Sequence, residues 1–117
     1  MLEIGDLTRE EDLALIGLLK AVIQSDKKLS FDENEELKRV AGLMGPERFH
    51  ERVGEAKELF VTLSDIKRYA RGIDRKPARR LIFDLLQEMA KRDGVEPAED
   101  DLLAWLAESW ELAYFNR

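Results

Sequence analysis

The sequence predicts an all-α, single-domain bundle of about six to seven helices, on three observations. Apolar residues recur at helical spacing through most of the 117 residues. The apolar runs are bounded by helix start and stop signals, and a helix-loop-helix pattern occurs twice. No segment of useful length alternates with a period of two, so no sheet is expected. At 44% hydrophobic, a chain of this size buries about 65% of the surface of its unfolded form and holds a core without staples.

The repeat is the sharpest of these signals. The stretch 25–37, SDKKLSFDENEEL, returns as 92–103, RDGVEPAEDDLL. Asp26 corresponds to Asp93, Leu29 to Val95, Glu33 to Glu99 and Leu37 to Leu103, with one residue fewer between Asp and the apolar position in the second copy. Upstream, Leu15, Leu18, Leu19 and Val22 match Ile82, Leu85, Leu86 and Met89 without a gap. The halves 8–44 and 75–115, joined by 46–72, are therefore expected to form two helical hairpins related by an approximate two-fold.

Taken in order, Thr8-Arg-Glu-Glu11 has the form of a capping box and starts the first helix. Its apolar face of Leu15, Ile16, Leu18, Leu19, Val22 and Ile23 is wide, which predicts a central, buried helix that leaves mainly Lys20 and Gln24 to water. Ser30 and Glu33 form a second capping box, and the helix that follows offers Leu37, Val40, Leu43 and Met44 to the core until Gly45-Pro46 stops it and starts the next. The segment from Pro46 to Leu63 is amphipathic through Phe49, Val53, Leu59, Phe60 and Leu63, with Gly54 as a weak point. Ser64-Asp65 is expected to cap a short helix ended by Gly72, and Asp74 the one after, with Pro77 tolerated in its first turn. The second central helix runs over 81–90, and Pro97 opens a last helix presenting Leu102, Leu103, Leu106, Trp110 and Ala113.

Composition removes several kinds of chemistry. With no cysteine, there are no disulfides, thiolate metal sites or cysteine nucleophiles, and a reducing compartment is allowed. The start lacks a basic segment followed by an apolar one, and no apolar run is long enough to span a bilayer, so a soluble, cytoplasmic protein is expected. The net charge of −6 is unevenly spread: 1–37 carries ten acids and four bases, 93–111 seven acids and no base, and 64–80 seven bases and two acids. His50, the only histidine, lies in a charged helix and reads as a surface residue. No serine has an evident His and Asp context, and no Gly-rich loop is suited to a phosphate, so no enzymatic activity is expected.

An apolar helix ending in Asp, a short loop with one apolar residue and a Glu opening the next helix, all twice over, resembles the TerB-like domain. That family is associated with tellurite resistance and stress, and also supplies the N-terminal part of some membrane-anchored J-domain co-chaperones. The resemblance covers roughly 12–110. It implies a helical bundle with a stress-response context, in which Asp26, Glu33, Asp93 and Glu99 form an acidic cluster for a divalent cation. Oxygen-only ligands suit Ca2+, Mg2+ or Mn2+. Equally ordinary structural roles fit the same residues: Glu33 in its capping box, Glu99 against a helix N-terminus, Asp93-Gly94 in a turn. Lys27 and Lys28 stand beside Asp26, where the second copy keeps Asp-Gly, so the half around Asp93 is the better ion candidate. An EF-hand reading of 26–37 fails, with Phe31 at the position for Gly and Leu37 at that for a bidentate Glu.

Two further surfaces are candidates for binding. The basic strip Lys67, Arg68, Arg71, Arg75, Lys76, Arg79 and Arg80 is either a solvated face paired with acids such as Asp74 and Asp84, or a docking surface. Its ligand would be an acidic partner protein, an anionic membrane or a nucleic acid. The alternative function is a nucleic-acid-associated regulator using 67–80, which overall acidity and a single interleaved aromatic, Tyr69, disfavour. On the last helix Trp105 lies off the main stripe, with Leu102 and Leu112, and points to a partner or homodimer surface. The overall expectation is a non-catalytic binding or adaptor domain acting through its acidic inter-helix loops.

Overall fold

A computed structural model describes the chain over 2–26, 35–93 and 97–112, with side chains over 2–21, 38–88 and 101–112. It is an all-helical bundle, with no strand among the described residues. A 3-10 turn, Ile4–Asp6, precedes six helices: α1 (Arg9–Asp26), α2 (Glu35–Met44), α3 (Pro46–Leu59), α4 (Leu63–Arg71), α5 (Lys76–Asp93) and α6 (Pro97–Ser109). No helix among the described residues is long and apolar enough to cross a membrane.

α1 begins at the predicted capping box. The Thr8 amide donates to Glu11 Oε1 at 2.9 Å, and the Glu11 amide donates to Thr8 Oγ1 at 3.2 Å. Every residue from Leu13 to Leu19 is buried, because α3, α4, α5 and α6 all pack on this helix and leave it little exposed face. Gly17 is where the chain comes closest. A Cβ there would lie 2.7 Å from Phe60 Cε2 and 3.4 Å from Ile66 Cγ2, so the absent side chain lets the α3–α4 corner seat its aromatic ring on α1. α5 supplies Ala78, Ile82, Phe83, Leu85 and Leu86 to the same core, α6 supplies Leu102, Leu103, Leu106 and Ala107, and Trp110 joins them from the turn that follows α6. The buried Trp110 indole N–H donates to the Ala70 carbonyl at 2.9 Å, which satisfies its one polar atom.

The two long helices run parallel. Arg75, just before α5, binds Glu11 in the first turn of α1 at 2.6 Å, so their starts lie together. At the other end Lys20 and Ala21 of α1 line one groove with Asp101 and Leu102 of α6, and α6 follows α5 after three residues. α1 and α5 have 18 residues each, about 27 Å at 1.5 Å per residue. The described ends of α1 and α5, Asp26 and Asp93, consequently lie toward the same end of the bundle. Arg39 reinforces this by joining α2 to Glu88, late in α5, at 3.0 Å.

Some local expectations are corrected. Leu43, Leu59 and Leu63 are exposed by 55%, 46% and 48%, not core. In α2 the buried line is Val40 and Met44, four residues apart, and Leu43 falls beside it. Between α3 and α4 the chain leaves the helical conformation at Phe60, with φ −112° and ψ 97°. The helical phase is reset there, and only Phe60 of this apolar stretch turns inward. The cap of α4 is Thr62 rather than Ser64 or Asp65: Thr62 Oγ1 accepts from the Asp65 amide at 3.2 Å, and Asp65 Oδ2 accepts from the Thr62 amide at 3.0 Å. α5 opens at Lys76 with Pro77 in its first turn, and His50 is exposed. The expected capping box of Ser30 and Glu33, and Ala113, lie outside the described residues.

Two glycine substitutions separate propensity from packing. Gly54 lies inside α3 with open space at its Cβ position, so Gly54→Ala should raise stability in urea unfolding by up to about 1 kcal/mol. Gly17→Ala gains the same propensity but drives a methyl into the buried Phe60 ring, at a cost of about 1–3 kcal/mol. A net loss is expected for Gly17→Ala.

Candidate functional site

The strongest electrostatic feature lies at the start of α1 and was not among the sequence-level candidates. Asp12 has no exposure to water, and Glu11 is only 4% exposed. Arg48 of α3 grips Asp12 with both arms of its fork, Nε to Oδ2 at 2.8 Å and Nη2 to Oδ1 at 2.9 Å, while Nη2 also donates to the Leu7 carbonyl at 2.8 Å. Arg52, one turn later, donates from Nε to Asp12 Oδ2 at 3.2 Å and from Nη1 to Glu55 Oε1 at 2.8 Å. Glu55 in turn accepts from Arg9 Nε at 2.7 Å. Arg75 holds Glu11 in the same two-armed way, at 3.0 and 2.6 Å, and donates to the Asp6 carbonyl at 3.0 Å. The N-terminal segment and two elements distant in sequence, α3 and the residue that precedes α5, are thereby fixed to one helix end. The acids themselves suit the first turn of α1, where the helix dipole favours negative charge.

The two carboxyl groups respond oppositely to this setting. For Glu11, burial pushes the pKa up, but the bonds from Arg75 and from the Thr8 backbone outweigh it and hold the group below the usual glutamate range. For Asp12, burial is the larger influence and pushes the pKa up against the opposing pull of Arg48 and Arg52.

The basic strip does not act as one surface. Arg75 is committed to Glu11, and Arg79 is largely covered, donating from Nε to the Ile73 carbonyl at 2.5 Å and standing 3.9 Å from Asp74. Arg80 pairs with Asp84 at 3.4 Å, and Arg68 lies 3.9 Å from Asp65 with its side chain 78% exposed. Lys76 is exposed. Lys67 and Arg71 stand over the ring of Trp105, at 5.0 and 5.4 Å from its centroid, within cation–π range. Trp105 is half-buried, so its apolar body faces α4 rather than forming a bare anchor.

The four acidic residues of the repeat divide differently. Asp26 is the last residue of α1, Asp93 the last of α5, and Glu99 lies in the first turn of α6. Their side chains, and Glu33 altogether, are outside the described residues. Among the described residues no group of three or more His, Asp or Glu is arranged to hold a metal ion.

A third feature is the α3–α4 corner. Leu59, Val61 and Leu63 project from it, with Val61 83% exposed. On either side of Phe60 lies a groove. One, of about 390 Å3, is bounded by the end of α1 and the first half of α6, and the other, of about 430 Å3, by Glu10, Arg68 and Tyr69. Fold and surface together define a helical bundle, six α-helices among the described residues, with an internally braced start and an apolar corner. No family model, curated protein or solved structure matches the chain.

Removing one partner of the buried cluster strands the others. Asp12→Ala should cost about 3 kcal/mol in denaturant unfolding, the low end for a broken buried pair, since Arg48 and Arg52 keep 28% and 17% exposure. The pH dependence follows from the two directions. Glu11, lowered in the fold, contributes stability present above its unfolded pKa and lost as pH falls through the folded one. Asp12, raised in the fold, contributes stability on the acid side that is lost as pH rises through its folded pKa. Between pH 7 and about 3, Glu11→Gln should therefore flatten the acid decline of stability and Asp12→Asn should steepen it.

Proposed function

We propose that the chain is a non-catalytic, TerB-like binding domain whose two acidic inter-helix loops act together on a divalent cation or a protein partner, in a stress-response setting. The observation that carries this reading is the parallel course of α1 and α5. Their starts are joined through Glu11 and Arg75, their lengths are equal, and α6 begins beside the end of α1. A shared site needs the ends of α1 and α5 on the same side of the bundle, and these contacts support that reading. Of the two halves, the one around Asp93 and Glu99 is the stronger ion candidate, because Lys27 and Lys28 follow Asp26 directly. Hard cations with oxygen ligands are the fitting class.

A homodimer through Trp105 has less support, since that ring lies under Lys67 and Arg71. The nucleic-acid alternative is weakened likewise by the commitments of Arg75 and Arg79. A protein partner remains the favoured macromolecular ligand.

Thermal unfolding in the presence of Ca2+, Mg2+ or Mn2+ tests the cation. At a free ion concentration about 100 times the Kd, the folded state should gain about 2.7 kcal/mol, and Asp93→Ala with Glu99→Ala should abolish the gain. An unchanged midpoint with all three ions would remove the cation from the proposal.

A further inference from the structure

The groove between the end of α1, the α3–α4 corner and α6 combines apolar side chains with positive charge that has no carboxylate partner among the described residues. Val61, Leu63, Ile66 and Leu102 line it, and Lys20 and Lys67 flank them. Val61 and Leu63 are both substantially exposed, which is costly for apolar side chains that have no covering partner. Lys20 is the only charged residue between Leu13 and Ala21, and it stands on an otherwise buried run. Among the described residues neither lysine has a carboxylate within ion-pair distance, although the molecule is acidic overall. Lys67 is instead held over the Trp105 ring at 5.0 Å, which presents its ammonium group at the groove rim.

From this combination we infer that the groove docks an acidic amphipathic helix of a partner protein. Apolar residues on one face of that helix cover Val61 and Leu63, and its flanking carboxylates pair with Lys20 and Lys67. This is the helix-in-groove mode, in which anchors at i, i+3, i+4 and i+7 enter an apolar groove. No strand edge exists among the described residues to receive an extended peptide. Asp101 also lines the groove and repels carboxylates on its own side, so it fixes which way the acidic face turns. The inference does not depend on an ion at the acidic loops, and its test reads a different surface.

The probe is a fluorescein-labelled peptide of about 14 residues, with leucines at helical i, i+3, i+4, i+7 spacing and glutamates at the remaining positions. Its binding to the full chain is followed by fluorescence anisotropy. Saturable micromolar binding that weakens with added salt is expected, as befits a small, charge-steered interface. Lys20→Glu with Lys67→Glu should weaken it about tenfold, and Lys20→Gln with Lys67→Gln should weaken it less. Val61→Asp, at a position too exposed to disturb the core, should also weaken it. Leu43→Asp, exposed but outside the groove, should leave it unchanged, with circular dichroism confirming that each variant is folded. The proposal is overturned if no saturable binding occurs, if the double charge reversal leaves affinity unchanged, or if a peptide with lysines in place of glutamates binds equally well. Sedimentation that shows a dimer dissociated by Val61→Asp would instead assign the groove to a second copy of the chain, and overturn it too.

Discussion

Asp12 carries a negative charge, or the cost of suppressing one, into a site with no access to water, and the rest of the bundle is arranged around that fact. A buried carboxylate is tolerated only when paired and hydrogen-bonded. The fork of Arg48 and the Nε of Arg52 supply those bonds. Because both arginines belong to α3, satisfying Asp12 fixes α3 against α1. The neighbouring Glu11 does the same for the start of α5 through Arg75. Replacing such a cluster with apolar side chains often preserves or raises stability, so its value here lies in geometry: it selects which helices meet and in what direction.

That direction links the cluster to the far end of the molecule. With the starts of α1 and α5 joined and their lengths matched, the last residues of both helices, Asp26 and Asp93, lie toward the same end of the bundle. The apolar corner depends on a different contact. Gly17 admits Phe60 to the α1 surface, and anchoring Phe60 there turns its neighbours Leu59 and Val61 outward. A glycine in a buried helix and an ion cluster at its start thus position the two surfaces to which binding is assigned.

Much of this architecture was legible in the sequence because it rests on local rules. The Thr8–Glu11 box, the Gly45-Pro46 break and the wide apolar face of α1 are written in neighbouring residues and helical spacing. Where local phase is interrupted, the reading failed: residues 60–62 leave the helical conformation, and Leu63 beyond them is exposed although it continues the apolar pattern. The buried cluster left a fainter trace. Asp12 stands at i−3, i−4 and i−7 from Leu15, Ile16 and Leu19, which places it on the core-facing side, and Arg48 and Arg52 share one face of α3. Their meeting is a tertiary event between positions 36 and 40 residues apart, which no local pattern encodes. The same holds for the basic strip, whose contiguity in sequence conceals that Arg75 and Arg79 turn toward the body of the protein.

Parallel alignment of α1 and α5 is the claim on which the functional account turns, and the absence of native cysteine allows it to be measured directly with paired spin labels. Pulsed electron-electron resonance on Gln24→Cys with Lys91→Cys, and on Glu10→Cys with Lys91→Cys, compares the same-end and cross-end separations. Helices about 10 Å apart and rising 1.5 Å per residue predict that the Gln24–Lys91 distance is shorter by roughly 10 Å or more. Equal distances, or a shorter Glu10–Lys91 distance, would contradict the parallel course and separate the two acidic loops.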